Sequence, residues 1–170
     1  ETGKKISQLF SYFEEKPIGS ASIGQVHKAR LISGEEVVVK VQRPGVKEMI
    51  QADLEIIKDI VTFGDNYFRK QGVLNAMEIV ESFEKTMTKE VQYLTEARAM
   101  DQFRNFYAKN KDFYVPKPYR ELSTDKVLVI EYVEGCKITN VRQLHEWGLD
   151  PTAIAELGMH IYLTQIFEFG

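Results

Sequence analysis

Apolar residues change their spacing several times along this chain, and each change predicts a change of element. Ile6, Leu9, Phe10 and Phe13 recur at intervals of three and four, which predicts a short amphipathic helix closed by Pro17. Small residues bracketed by apolar ones follow in Ile18-Gly19-Ser20-Ala21-Ser22-Ile23-Gly24. A hairpin is predicted next: a strand over 26–31, a tight turn at Ser33-Gly34-Glu35, and a β-branched strand over 37–42. Pro44-Gly45 breaks that strand. Over 46–68 the stripe Met49, Ile50, Leu54, Ile57, Ile60, Val61 and Phe68 predicts a helix. Beyond Gly72 a second, long helix is predicted over 77–108, burying Ile79, Val80, Phe83, Met87, Val91, Leu94 and Phe103. Pro116 and Pro118 precede two further predicted strands, 119–121 and 127–133, joined by Ser123-Thr124-Asp125 and ended by Gly135. A short helix over 141–147 and an apolar helix from Pro151 complete the pattern.

Long helices follow a hairpin here and do not alternate with single strands. That order predicts an α+β fold, a small antiparallel sheet with helices packed on it, and not a doubly wound parallel sheet. Composition narrows the function classes. The 170 residues are 44% hydrophobic and 28% charged, enough for one domain with a core. A net charge of −3 argues against nucleic-acid binding, which needs a basic face. The single Cys136 excludes an internal disulfide, and no Cys/His cluster has metal-ligand spacing. No apolar run approaches the roughly 20 residues of a membrane span. Glu1-Thr2-Gly3-Lys4-Lys5 lacks the apolar core of a secretory signal, and Ile166-Phe167-Glu168-Phe169-Gly170 stops on an apolar pattern. Both ends read as cuts in a longer protein, and the expected location is cytoplasmic or peripheral at a membrane.

Four features carry candidate chemistry. Gly19-Ser20-Ala21-Ser22-Ile23-Gly24-Gln25-Val26 fits the kinase loop G-x-G-x-x-G-x-V, with Ala21 in place of the middle glycine. Small residues let a backbone approach phosphate oxygens closely. Alone, such a turn is most often structural. Lys40, in Val37-Val38-Val39-Lys40-Val41, stands fourteen residues after Val26, one hairpin away. That distance sets its ammonium beside the loop, within reach of α/β-phosphates if a carboxylate holds it. Glu90 and Glu96 on the long helix are the candidates for that carboxylate. Six positions apart, they sit about 120° apart around a helix, so both cannot face Lys40 equally. Finally, Val127-Leu128-Val129-Ile130-Glu131-Tyr132-Val133 has the form of a last strand entering a hinge. There Ile130 gates the pocket, and the backbone of Glu131 and Val133 meets the adenine edge.

Together these segments resemble the UbiB/aarF family of atypical, protein-kinase-like ATPases linked to isoprenoid-quinone biology. The resemblance rests on Lys16-Pro17-Ile18 through His27-Lys28-Ala29, Val39-Lys40-Val41-Gln42-Arg43-Pro44-Gly45-Val46, Ala52-Asp53-Leu54, Lys89-Glu90-Val91-Gln92-Tyr93-Leu94-Thr95-Glu96-Ala97, Tyr114-Val115-Pro116, and 127–135. It implies a kinase-like amino-terminal lobe over 1–135, with loop 18–26, inserted helix 46–70, long helix 77–108 and hinge 131–135. Residues 136–170 then begin the carboxyl-terminal lobe and stop before its catalytic loop. The resemblance implies an ATP or ADP ligand with magnesium. Lys40, Glu90 and Glu96 serve catalysis, Glu90 ranked first as the partner of Lys40. Ile18, Gly19, Ser20, Ala21, Ser22, Gly24, Val26, Val38, Lys40, Ile130, Glu131 and Val133 hold the nucleotide. No metal ligand is assigned within the chain. Glu134, Glu146, Asp150, Glu156 and Glu168 are the acidic residues beyond the strand, and none sits in a His-x-Asp or Asp-Phe-Gly context. Gln92 stands where family members commonly carry an acid, and Gly19-Ser20 replace part of their alanine-rich loop. Membrane lipid or quinone-biosynthesis proteins are implied partners through regions outside this chain. The rival readings are a non-catalytic nucleotide sensor and an ordinary protein-interaction module.

Overall fold

The computed structural model describes residues 1–21, 23–72 and 75–169. Its frame is an antiparallel sheet in the order β1-β3-β4-β5, with β2 also paired to β3. The strands are β1 (Phe10–Phe13), β2 (Gly19–Ser20), β3 (Gly24–Leu31), β4 (Glu36–Gln42) and β5 (Val127–Glu131). The helices are α1 (Ile6–Leu9), α2 (Val46–Lys70), α3 (Ala76–Glu90), α4 (Tyr93–Phe106), α5 (Val141–Glu146) and α6 (Pro151–Thr164). The α+β expectation holds. Among the described residues no helix is long and apolar enough to cross a membrane.

The predicted opening helix survives only as the single turn α1. Phe10 and Phe13 belong instead to an edge strand, with Phe13 opposite Ala29 of β3. Pairing with β3 decides the conformation here, because a segment that can pack aromatics on a pleated surface takes its structure from that surface. β1 and β2 pair with the same edge of β3. Glu14 N–H donates to Lys28 O (2.9 Å) and Ile18 N–H to Val26 O (2.8 Å). Pro17, which has no N–H to offer, sits between them, where an edge tolerates it.

Alternation along β3, β4 and β5 gives the sheet two different faces. On one, Ala29, Leu31, Val37, Val39 and Val129 form a buried core with Phe10 and Tyr119. The other carries Val26 opposite Lys40 and Lys40 opposite Leu128, with Val38 opposite Ile130. Tyr93 and Ala97 of α4 pack against this second face at Leu128, joined by Ile23 and Ile130.

Three further expectations are corrected. The helix predicted over 77–108 is two helices, broken at Val91 and Gln92. No Gly or Pro marks the break; bonds from elsewhere in the fold hold it. Gln42 Nε2 donates to Val91 O (3.0 Å), and Tyr93 N–H donates to Asp125 O (3.1 Å). Residues 119–121 are not a strand. Arg120–Leu122 form a 3-10 turn, and only Pro118 bridges to Ile130. Of the apolar stripes on α2 and α3, Leu54, Val61 and Val80 are buried, whereas Met49, Ile60, Ile79 and Phe83 are exposed. The Phe68 side chain lies outside the described residues. Lys58 and Glu84 cross-link the two helices at 2.7 Å.

The break depends on a buried side chain that the hydrophobic pattern does not reveal. Gln42→Leu leaves the Val91 carbonyl without its donor at a buried residue. The expected cost is about 1–3 kcal/mol, read as a lower urea midpoint at unchanged slope.

Candidate nucleotide site

β4 ends in the sequence that sets the site. Alternation turns Val37, Val39 and Val41 toward the first core and leaves Val38, Lys40 and Gln42 on the α4 face. Lys40 Nζ donates to Glu96 Oε2 at 2.7 Å and stands 4.6 Å from the centroid of the Tyr93 ring. Glu96 lies in the first turn of α4, one turn after Tyr93. Glu90, ranked first by the sequence, is the exposed last residue of α3 and makes no ion pair among the described residues. The break explains the reversal. A second helix starts at Tyr93 with its own phase and turns Glu96, not Glu90, toward the sheet.

Above this pair the small-residue segment folds as a tight hairpin. Ala21 N–H donates to Gly24 O (2.8 Å) and Gly24 N–H to Ala21 O (3.4 Å). Ser22 lies outside the described residues. Ile23 is drawn into the second core, and its carbonyl accepts from Arg43 N–H (2.9 Å). Arg43 also donates from Nη2 to the Ser20 hydroxyl at 2.8 Å, so a residue absent from the sequence-based set braces the loop.

Gly24 has a steric reason to be glycine. A Cβ there would lie 2.6 Å from the Tyr93 hydroxyl and 2.7 Å from Val41 O. Gly19 has none of this crowding, with Val26 Cβ at 3.9 Å as its nearest neighbour. Tyr93 is fully buried, and its hydroxyl has no hydrogen-bond partner among the described residues. Burial, and then the Glu96 carboxylate, push the phenol above its ordinary pKa. Sequence inspection missed Tyr93 and Gln42. The available signal was Val91 and Tyr93 two apart, both apolar, a spacing no single helix face can bury.

Val26, Val38, Lys40 and Ile130 share the α4 face of the sheet, with Ile18 exposed at the loop entrance. The strand exit is tied down through a carboxylate. Glu131 Oε2 accepts from the Tyr114 hydroxyl (2.5 Å) and Lys117 N–H (3.0 Å), while Glu131 N–H donates to Lys117 O (2.9 Å). The Glu131 amide is therefore committed to Lys117, which leaves its carbonyl as the backbone group open to a ligand. Val133 is exposed, and its N–H makes no hydrogen bond among the described residues.

Burial raises the Glu131 pKa, but the Tyr114 hydroxyl, the Lys117 amide and the charges of Arg104 and Lys117 outweigh it and hold it below the ordinary carboxylate value. A depressed folded-state pKa gives stability that is complete above the unfolded value, about 4.3 for Glu. That stability is lost as pH falls through the lowered folded value. Unfolding midpoints followed from about pH 6 to about pH 3 should fall less steeply for Glu131→Gln than for the parent.

Several known proteins are similar to this chain in sequence, and one solved structure is similar in fold. A family model described as the ABC1 atypical kinase-like domain matches residues 1–170. A "Probable protein kinase UbiB" of Pseudomonas paraeruginosa is 38% identical over 168 residues, covering 99% of this chain and 32% of that protein. An uncharacterized protein of Synechocystis sp. is 38% identical over 170 residues, covering 100% of this chain and 29% of its own length. A solved complex of Rv3197 with erythromycin, from Mycobacterium tuberculosis, matches with a TM-score of 0.67 and 33% identity over 82% of this chain and 34% of that one. The chain spans about a third of the length of these relatives.

Proposed function

Since the chain belongs to the ABC1 atypical kinase-like family, we propose that it forms one wall of an ATP site. The observation that carries this reading is the 2.7 Å pair of Lys40 and Glu96 beneath the small-residue hairpin. A lysine fixed by a carboxylate presents a point charge and donors at a set position, which is what α/β-phosphates require. Val26, Val38 and Ile130 supply the apolar surface of the same face for an adenine ring. The Glu131 carbonyl and the Val133 N–H supply its polar edge. Gly19, Ser20 and Ala21 carry too little side chain to keep phosphates at a distance.

Magnesium, when bound with ATP, neutralises charge on the β- and γ-phosphates. Among the described residues no group of three His, Cys, Asp or Glu is placed to hold a metal ion. We assign its ligands to the part of the longer relatives beyond this chain. The whole protein is proposed to transfer or hydrolyse the γ-phosphoryl group in service of isoprenoid-quinone biosynthesis or its regulation, as the resemblance to UbiB implies. Contacts to membrane lipid or to quinone-biosynthesis proteins are proposed through those same outer regions.

The test is calorimetric titration of ATP, ADP and adenosine into the full chain. Saturable binding of ATP and ADP is expected, weaker in Lys40→Ala. Absence of saturable binding by the parent overturns the proposal.

A further inference from the structure

The three parts of the site converge on one residue that belongs to none of them. Tyr93 is fully buried at the first position of α4. Its ring lies 4.6 Å from the Lys40 ammonium, its hydroxyl presses against Gly24 of the hairpin, and Glu96 follows one turn later. A tyrosine buried only for packing would be expected to find its hydroxyl a partner. This one has none among the described residues, so no hydrogen bond accounts for the polar end of the side chain. What the ring does offer is its negative face to a cation that has a second, anionic partner in Glu96.

We propose that Tyr93 is a positioning residue for the phosphate-facing lysine. Its ring face and the Glu96 carboxylate together fix the Lys40 ammonium, and its body sets how closely the hairpin descends over that charge. The inference rests on the nucleotide reading above and assigns a function within that site to a residue outside the kinase motif. Because the lysine addresses phosphates, loss of the ring's electrostatic contribution weakens ligands that carry phosphate and spares the nucleoside alone. A tyrosine that merely fills the core predicts equal losses for all three.

Isosteric replacement separates these cases without opening a cavity. In the full chain, Tyr93→Phe keeps the ring and removes the unpaired hydroxyl, and its affinities for ATP, ADP and adenosine are the reference for the variants that follow. The same variant bearing a pentafluorinated ring keeps the shape and reverses the charge on the ring face. It is expected to bind ATP and ADP roughly three- to tenfold more weakly, at unchanged adenosine affinity. Tyr93→Met, smaller and without a π face, is expected to show the same split between ATP and adenosine as the fluorinated ring. Unchanged ATP affinity on fluorination, or an equal loss for adenosine, overturns the inference and leaves the nucleotide site standing. A parent that binds neither ATP nor ADP overturns the nucleotide reading and this inference with it.

Discussion

Gly24→Ala is expected to lower the melting temperature by roughly 6–12 °C, at a cost of about 3 kcal/mol, the upper end of the range for overpacking. The new methyl meets two atoms closer than 3 Å, and neither has room to yield. Val41 O belongs to a strand paired on both sides. The Tyr93 hydroxyl ends a ring that is itself fully enclosed. Tyr93→Phe removes one of the two obstacles, so in that background Gly24→Ala should cost about half as much, a non-additivity expected of touching residues. Gly19→Ala is the control. Its nearest neighbour lies at ordinary contact distance, and its effect should stay within about 0.5 kcal/mol. Melting curves of these four proteins and the parent decide the matter. If Gly24→Ala proves as harmless as Gly19→Ala, Tyr93 does not sit beneath the loop.

Lys40→Ala is expected to weaken ATP binding roughly ten- to a hundredfold, the range for losing a charged hydrogen-bond donor. Glu96→Gln should weaken it less, since the ammonium stays but loses its anchor, while Glu90→Gln should match the parent. Stability should hardly move in any of them. The Lys40 side chain is 25% exposed and that of Glu96 42%, so solvent screens the pair, and its contribution to folding is about 0–1 kcal/mol. Affinity and melting temperature measured on the same samples make the test. Equal losses for Glu90→Gln and Glu96→Gln would mean that the pair seen here does not govern the site.

Much of this was legible in the chain itself. The hairpin of β3 and β4 follows from β-branched alternation around Ser33-Gly34, where Gly34 takes the positive φ of 106° that the turn requires. That hairpin alone brings Lys40 opposite Val26, beside the small-residue loop. The strand ending at Glu131 and the helices α2, α5 and α6 are likewise written in local periodicity and in breakers such as Pro44-Gly45 and Pro151. Each of these depends on neighbours close in sequence, and spacing records such neighbours directly.

Tertiary structure decided which glutamate meets the lysine. Residues 76–106 carry helical spacing on either side of the break, and no Gly or Pro between Glu90 and Tyr93 forbids one continuous helix. The break arises because Gln42, some fifty residues earlier, captures the Val91 carbonyl while Asp125, some thirty residues later, captures the Tyr93 amide. Those bonds satisfy backbone groups that the broken helix leaves open, and burial of Val91, Tyr93 and Ala97 against the sheet stabilises the change of phase. The same rule turned Phe10–Phe13 from helix to strand, because β3 offered an edge to pair with. Sequence spacing therefore placed Lys40. Glu96, the hydroxyl of Tyr93 and the crowding at Gly24 depend on surfaces that meet only when distant segments pack.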